Sequence, residues 1–226
     1  MSPLPIRERT VQALRDAILS FELKPGQRLV EREFIHRFGI SRTTFREALR
    51  QLTSEGLVTA VAQKGARVAS PSASEAADLY EIRAALESLA VRRFIERASD
   101  ESIDELTLAL ESFEDVVATT TDTLALLKSN AEYYRVLIDG AQSAVLGEVL
   151  VGIRSRAQSF RSRSLSSPGR ASEAATELRG VLEAIIDRDP QRATALTVEH
   201  VVNGGVVALG ELNLPAPSDF NAAEFV

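Results

Sequence analysis

Residues 22–58 read ELKPGQRLVEREFIHRFGISRTTFREALRQLTSEGLV, and their apolar side chains recur at the spacing of two short helices. The first predicted helix covers 31–38 and ends at Gly39, whose permissive backbone suits a tight turn. Ser41 is a favoured N-cap for the second helix, from which arginine and threonine side chains face outward. Two short helices joined in this way predict a helix-turn-helix that reads DNA.

The sequence on either side extends this pattern. Helical spacing from Val11 to Phe21 predicts one more helix, and residues 57–70 predict a two-stranded hairpin, or wing, that turns at Lys64-Gly65. The rest of the chain shows only helical patterns, over 73–98, 101–118, 122–140, 143–163, 170–188 and 190–211.

These patterns predict a mostly α protein with two domains, a number that suits a chain of 226 residues. An N-terminal winged helix-turn-helix domain is expected over 1–70, followed by a linker over 71–75. An antiparallel α-helical bundle is expected over 76–212, and an irregular tail over 213–226.

Charge divides along the same boundary. Residues 1–70 hold 12 Lys and Arg against 7 Asp and Glu, a net charge of +5, whereas the remainder holds 14 against 25, a net charge of −11. A basic first domain suits the binding of nucleic-acid phosphates. Chance asymmetry in a solvated surface is the alternative explanation.

Composition excludes several classes of protein. Hydrophobic residues make up 45% of the chain, enough for a packed core, and the absence of cysteine excludes a disulfide scaffold and a thiolate zinc site. Neither a signal peptide nor a run of ~18–20 apolar residues is visible, so we expect a cytoplasmic protein without a membrane partner. Common hydrolase and P-loop motifs are missing and there are only two histidines, so we expect no enzyme and no catalytic residue.

Four motifs of the first domain occur together and in order. They are the PG turn at 25–26, the RE pair at 32–33, the G-x-S-R-x-x-x-R-E-A-L run at 39–49 and the wing glycine of KGARV at 64–68. The combination resembles the winged-helix domain of GntR-type bacterial transcription regulators over about residues 8–69. The resemblance implies that double-stranded operator DNA is a partner.

The resemblance assigns DNA contacts to the matching positions. These are Arg32, Ser41, Arg42, Thr43, Thr44, Arg46, Lys64 and Gly65. Arg42 and Arg46 are the expected base readers, because arginine donates two hydrogen bonds to guanine in the major groove. Hydroxyls and helix N-terminal amides suit phosphates, although pure helix capping stays open as the role of Ser41.

Four segments of the acidic part of the chain, residues 71–226, also occur in an informative order. They read DLYEIRAALESLAVRRF at 78–94, EYYRVLIDGAQSAVL at 132–146, LEAIIDRDPQRA at 182–193 and EHVVNG at 199–204. Because these segments follow a GntR-type winged-helix domain, their order resembles the FadR C-terminal ligand-binding class, or FCD. The resemblance implies a helical bundle with a central effector pocket, a homodimer, and operator binding that a ligand controls.

Many members of the FCD class hold a divalent metal through one aspartate and three histidines. The matching positions here are Asn130, Tyr134, Leu178 and His200, which leaves a single imidazole. Transition-metal affinity needs several imidazole or carboxylate ligands at fixed geometry. We therefore predict no functional metal and no other cofactor, which argues against metal-assisted binding of a carboxylate.

Polar residues on apolar helix faces are candidates for an effector pocket. Asn130 and Tyr134 share one face, and His200 and Asn203 share another. Buried polar groups need partners. These four either satisfy one another as a structural network or converge on a small ligand.

Three arginines extend the candidate pocket. Arg83 borders an apolar stripe, and it either meets an anionic effector or pairs with Glu87 at the surface. Arg154 and Arg161 lie seven residues apart in an arginine-rich segment. They either line the pocket and bind a carboxylate or phosphate, or they lie on solvent-exposed helix faces or contact acidic neighbours.

Two functions remain in competition. The first is a dimeric, sequence-specific transcription regulator, commonly a repressor in the GntR family, that leaves its operator when a small metabolite enters the helical domain. The second is a constitutive or architectural DNA-binding dimer whose helical domain has no effector. A bundle core in which Tyr134, His200 and Asn203 close around one another would favour the second.

Overall fold

The computed structural model describes residues 5–61 and 65–210, and the chain divides into two compact units between Pro71 and Ser72. The predicted tail over 213–226 lies outside the described residues. None of the helices in the described ranges combines the length and the apolar composition that a membrane crossing requires.

The N-terminal unit contains the predicted helix-turn-helix. Its helices are α1 (Ile6–Leu19), α2 (Glu31–Phe38) and α3 (Arg42–Ser54). Gly39 ends α2 in the left-handed region at φ 61°, which explains why glycine occupies this turn. Helix α1 packs on α3, and the shared core holds Val11, Leu14, Ile18, Phe45, Ala48 and Leu52.

The wing is larger than the predicted hairpin. Strands β2 (Val58–Val61) and β3 (Gly65–Val68) pair antiparallel, as expected, and β3 also pairs with β1 (Arg28–Leu29). The sheet order is therefore β1-β3-β2. The sequence pattern gave no signal for β1, because two residues are too few to alternate.

The second unit is entirely helical within its described residues. Its helices are α4 (Ala73–Arg97), α5 (Asp100–Thr119), α6 (Thr123–Gly140), α7 (Ala144–Arg156), α8 (Gln158–Ser166), α9 (Arg170–Ile186) and α10 (Pro190–Gly210). Helix α10 packs against α4, α8 and α9, while α5 packs against α6 and α9. The mostly α fold class, with a winged helix before a helical bundle, is confirmed.

Two expected boundaries differ from the structure. The segment expected as a linker, 71–75, lies mostly in the first turn of α4, because Ser72 and Glu75 form a reciprocal capping box that starts the helix. The helix expected over 143–163 breaks at Ala157 into α7 and α8. Neither proline nor glycine marks that break, so the sequence pattern runs through it.

Candidate DNA-binding groove and effector cavity

A groove of about 1070 Å³ lies between α3, the start of α2 and the wing. Arginines dominate its polar lining: Arg28, Arg32, Arg42, Arg46 and Arg50. Glu31 is the only acidic residue of the lining within the part of the chain that the structure describes. The groove is therefore a cationic surface built on the helix that the sequence predicts to read DNA.

Glu31 organises the two arginines expected to read bases. Its carboxylate lies 2.6 Å from Arg42 Nε and 3.5 Å from Arg46 Nη2. The two arginine side chains nevertheless keep 70% and 60% of their surface exposed. Exposed ion pairs of this kind contribute little stability, so both guanidiniums can exchange Glu31 for another anion.

The N-terminus of α3 brings the predicted hydroxyls together. Ser41 Oγ accepts a hydrogen bond from the Thr44 backbone N–H at 3.1 Å and lies 2.9 Å from Thr44 Oγ1. Ser41 is thus the helix cap, the structural role that the sequence left open. Thr43 is exposed beside it, next to the helix N-terminal amides that attract phosphate oxygens.

Gly65 and Arg32 both line the groove, and both are exposed. Gly65 begins β3 with φ +84°, a backbone conformation that residues other than glycine rarely adopt. Lys64 lies outside the described residues.

A buried ion cluster occupies the centre of the helical unit. Glu87 Oε1 accepts from Arg83 Nε at 3.0 Å and from Arg154 Nη1 at 2.8 Å, and all three side chains are at least 93% buried. Burial opposes ionisation of Glu87, but the two guanidiniums outweigh it and lower its pKa to about 2. Arg83 therefore does pair with Glu87, but in the interior and not at the surface.

Tyr134 packs under the same cluster. The Arg154 guanidinium carbon lies 3.3 Å from the centre of the Tyr134 ring, a cation–π contact. Burial raises the pKa of Tyr134, so its hydroxyl stays protonated. These contacts place Arg154 and Tyr134 in the supporting structure, away from the cavity lining described below.

Arg161 has a different environment. Its Nη2 donates to Asn130 Oδ1 at 2.5 Å, and none of the described carboxylates lies within ion-pair distance of it. Burial, reinforced by Arg154 and Arg83, lowers the pKa of Arg161 well below its ordinary value. The Arg161 side chain is partly buried, and among the described residues its guanidinium is held by an amide oxygen alone.

Glu177 anchors a third group of polar side chains. Its Oε2 lies 2.7 Å from Arg170 Nη2 and 2.6 Å from His200 Nδ1, while its Oε1 accepts from Asn203 Nδ2 at 2.8 Å. Burial lowers the pKa of His200, although the hydrogen bond to Glu177 opposes this shift. His200 and Asn203 thus meet through Glu177, and Tyr134 does not join them.

A small cavity of about 30 Å³ lies between these clusters. Its lining consists of Tyr80, Arg83, Asn130, Arg161, Ser164, Leu165, Arg170, Ala174, His200, Val201 and Gly204. Of the seven candidate residues, Arg83, Asn130, Arg161 and His200 lie in this lining, and Arg154, Tyr134 and Asn203 lie behind it. The bundle core is therefore not closed at this point.

The residues at the family's metal positions do not fit a metal. Asn130 Oδ1 already accepts from Arg161, His200 Nδ1 is engaged by Glu177, and Leu178 has no ligand atom. No group of three or more metal-ligating side chains is present among residues 5–61 and 65–210. Three guanidiniums in the cavity lining would also repel a divalent cation.

Sequence reasoning missed Arg170, Glu177, Tyr80 and Ser164. Arg170 did carry a signal, because it precedes Ala174 and Leu178 on one buried stripe at i, i+4 and i+8. Glu177 carried none, since its partners His200 and Asn203 belong to another helix and meet it only through tertiary packing.

Comparison with known proteins gives matches over both units. The model of the family "Bacterial regulatory proteins, gntR family" matches residues 6–68, and the FCD domain model matches residues 78–203. The Nta operon transcriptional regulator of Aminobacter aminovorans is 31% identical over 185 residues, which make up 81% of this chain and 85% of that protein. The fold of E. coli McbR/YncC superimposes with a TM-score of 0.76 at 19% identity, over 93% of this chain and 100% of that one.

A further match is confined to part of the chain. The HTH-type transcriptional repressor GlaR of Escherichia coli (strain K12) is 39% identical over 88 residues, 39% of this chain and 40% of that protein.

Proposed function

The chain belongs to the GntR family of bacterial regulatory proteins and carries an FCD domain, and from this premise we propose that it is a sequence-specific repressor that a small anionic metabolite releases from its operator. Membership confirms the interpretation as a transcription regulator and not an enzyme. The operator, the release and the identity of the contact residues belong to the proposal.

The basic groove supports operator binding by the N-terminal unit. Arg42 and Arg46 extend from α3 with exposed guanidiniums, and each can donate two hydrogen bonds to a guanine. Ser41, Thr43 and Thr44 present hydroxyls and helix N-terminal amides that suit phosphates. In a dimer, the partner copy would bind the second half-site of the operator, about one helical turn (~34 Å) away, as in dimeric helix-turn-helix proteins.

One observation carries the effector half of the proposal. A cavity inside the region matched by the FCD domain is lined by three arginines and by no carboxylate among the described residues. Such a lining suits an anion and disfavours a cation. The repressor sense is supported by the similarity to GlaR, which is named as a transcriptional repressor.

Release requires the effector and the operator to favour different states of the protein. The coupling is then reciprocal, so operator DNA must weaken effector binding by the same factor by which effector weakens operator binding. A ligand with equal affinity for both states would release nothing.

The first experiment is selection of genomic fragments from the source organism by the purified full-length protein, followed by titrations of the best fragment across salt concentrations. We expect a short pseudo-palindrome whose binding weakens steeply with salt. Shallow, sequence-indifferent enrichment would contradict a sequence-specific regulator. The genes beside the recovered sites nominate metabolites for the release assay.

The small volume of the cavity favours one second candidate, a constitutive DNA-binding dimer without an effector. About 30 Å³ holds little more than one or two water molecules. The two candidates differ in whether the helical unit binds an anion, which can be measured directly.

A further inference from the structure

We propose that the cavity binds the oxyanion head of an organic acid directly between Arg161 and Arg170, without a metal, and that the body of this ligand lies in the depression outside Arg170. The proposal deepens the proposed function and rests on it, because it gives the effector a chemical class and assigns the side chains that hold it.

The charges around the cavity do not balance within the described residues. Three buried arginines, at 83, 154 and 170, and the partly buried Arg161 lie around it, and two carboxylates, Glu87 and Glu177, pair with the three buried ones. With His200 neutral, four positive charges against two negative ones leave a charge of +2. The remaining arginine, Arg161, faces the cavity and touches only an amide oxygen.

Arg170 offers unused donors at the same cavity. Its side chain is 97% buried, and within the described part of the chain its Nε and Nη1 have no hydrogen-bond partner. The exposed Glu173 carboxylate lies 3.9 Å from Nη1, which is beyond a hydrogen bond. Buried guanidinium N–H groups require acceptors, and an oxyanion between the two arginines supplies them.

Neighbouring groups leave space for such a head group. A Cβ atom at Gly204 would lie 3.9 Å from Arg170 Nη2, from Ser164 Oγ and from the Tyr80 ring, so the bare glycine keeps this place open. The buried Tyr80 hydroxyl also lacks a hydrogen-bond partner among the described residues. Two arginines, the Ser164 side chain and the Tyr80 side chain thus line one small, polar space.

Size restricts what enters the cavity. A volume of about 30 Å³ accepts a head group but not a whole metabolite. Arg170 also lines an open depression of about 480 Å³, together with Glu173, Thr176, Glu177, Asn203, Val206 and Val207. Arg170 therefore stands between an inner anion site and an outer surface that combines two valines with polar groups.

The residues at the family's metal positions explain why the site differs from a metal site. Asn130 replaces the acidic ligand and holds the Arg161 guanidinium through its oxygen. A fixed guanidinium then supplies positive charge inside the bundle, and it binds planar and tetrahedral oxyanions through directed N–H groups.

The test uses the tyrosine emission of the full-length protein. Its three tyrosines, Tyr80, Tyr133 and Tyr134, all lie in the helical unit, and the chain has no tryptophan. Acetate, hexanoate and inorganic phosphate are titrated at constant ionic strength into the wild type, Arg161→Gln and Arg156→Gln. Arg156 is the matched control, because it lies in the same arginine-rich segment but is exposed.

We expect saturable changes for the wild type and Arg156→Gln, and at least tenfold weaker binding for Arg161→Gln. Hexanoate should bind more tightly than acetate, because its chain reaches the outer depression. A preference for phosphate over both carboxylates would assign the head as a phosphate. Equal responses of Arg161→Gln and the wild type, the absence of any saturable response, or a requirement for added Zn²⁺ would overturn the proposal.

The melting temperature is a second measurement, and it tests the role of Arg161 even if the variant responds to no anion. Without ligand, Arg161→Gln should melt at a higher temperature than the wild type, because it removes a partly buried cation that has no carboxylate partner among the described residues. A lower melting temperature would assign Arg161 a structural role. Operator binding of the same samples separates the two proposals, since intact sequence-specific binding without an anion response contradicts only the anion site.

Discussion

The two units of the protein use arginine in opposite ways. In the N-terminal unit, Arg42 and Arg46 are exposed and share one surface carboxylate, Glu31. In the helical unit, Arg83 and Arg154 are buried and share one interior carboxylate. An exposed arginine costs little to keep charged, so it stays available to any polyanion, whereas a buried arginine needs an anion at a fixed place.

This difference teaches where sequence patterns lose their information. A basic face on an amphipathic helix can be predicted, because exposure follows from helical spacing alone. The role of a buried arginine also depends on which carboxylate reaches it, and for Arg154 that partner, Glu87, comes from another helix. Three predictions test the contrast, and the largest effect is expected in the interior.

Glu87→Gln should reduce the free energy of unfolding of the helical unit by about 3–5 kcal/mol, because it leaves Arg83 and Arg154 without their shared carboxylate. Urea unfolding followed by tyrosine emission measures the effect, since all tyrosines lie in this unit. Glu81→Gln is the control, because Glu81 is exposed on the same helix. A loss within about 0.5 kcal/mol, as for ordinary surface changes, would contradict an interior ion cluster.

Arg42→Ala or Arg46→Ala should weaken operator binding by about 1–3 kcal/mol and relax the base preference at one position of the site. Stability should change by less than about 0.5 kcal/mol, because both side chains are exposed. Titration of the selected operator and of single-base variants measures the effect.

Arg37→Ala serves as the control for these variants, since Arg37 pairs with Glu22 on the surface and does not line the groove. Unchanged sequence preference in both Arg42→Ala and Arg46→Ala would reject base reading. A large loss of stability would instead remove the contrast between the two units.

The smallest effect concerns His200 and pH. Burial lowers the pKa of His200 below its ordinary value of about 6.5, so the folded state disfavours its protonation. Its contribution to stability is complete above about pH 6.5 and is lost as pH falls through the folded pKa. The wild type should therefore become less stable from about pH 7 to about pH 5.5, and His200→Gln should show less of this decline.

His36→Gln should keep the decline, because His36 is exposed. If His200→Gln retained the full decline as well, protonation would not be resisted at this site, and the hydrogen bond to Glu177 would dominate over burial.

Local chemistry determined how much of the fold could be predicted. Gly39 and Ser41 mark the helix-turn-helix because a left-handed turn and a helix cap each favour a few residue types. Strand β1 was missed because its two residues form a strand only by pairing with β3. The break at Ala157 was missed because alanine is a strong helix former and does not signal an end.

The cavity of the helical unit was predicted only in part for a similar reason. Helical spacing placed Arg83, Asn130 and His200 on faces that do meet in the bundle. The spacing of seven between Arg154 and Arg161 also suggested one row, and both side chains do turn inward. Arg83 pairs with Glu87 at i, i+4, as helical spacing allows, but whether Arg154 and Arg161 keep a carboxylate depends on packing between helices, and no local pattern contains that information.

The break at Ala157 has a consequence for the evolution of the chain. Junctions between helices ordinarily tolerate gained or lost residues, but this one sets the rotation of α8 and hence the direction of Arg161. One inserted residue would turn the following helix by about 100°. Lineages that keep the inward guanidinium should therefore preserve the length of the segment from 154 to 161 while its exposed side chains drift freely.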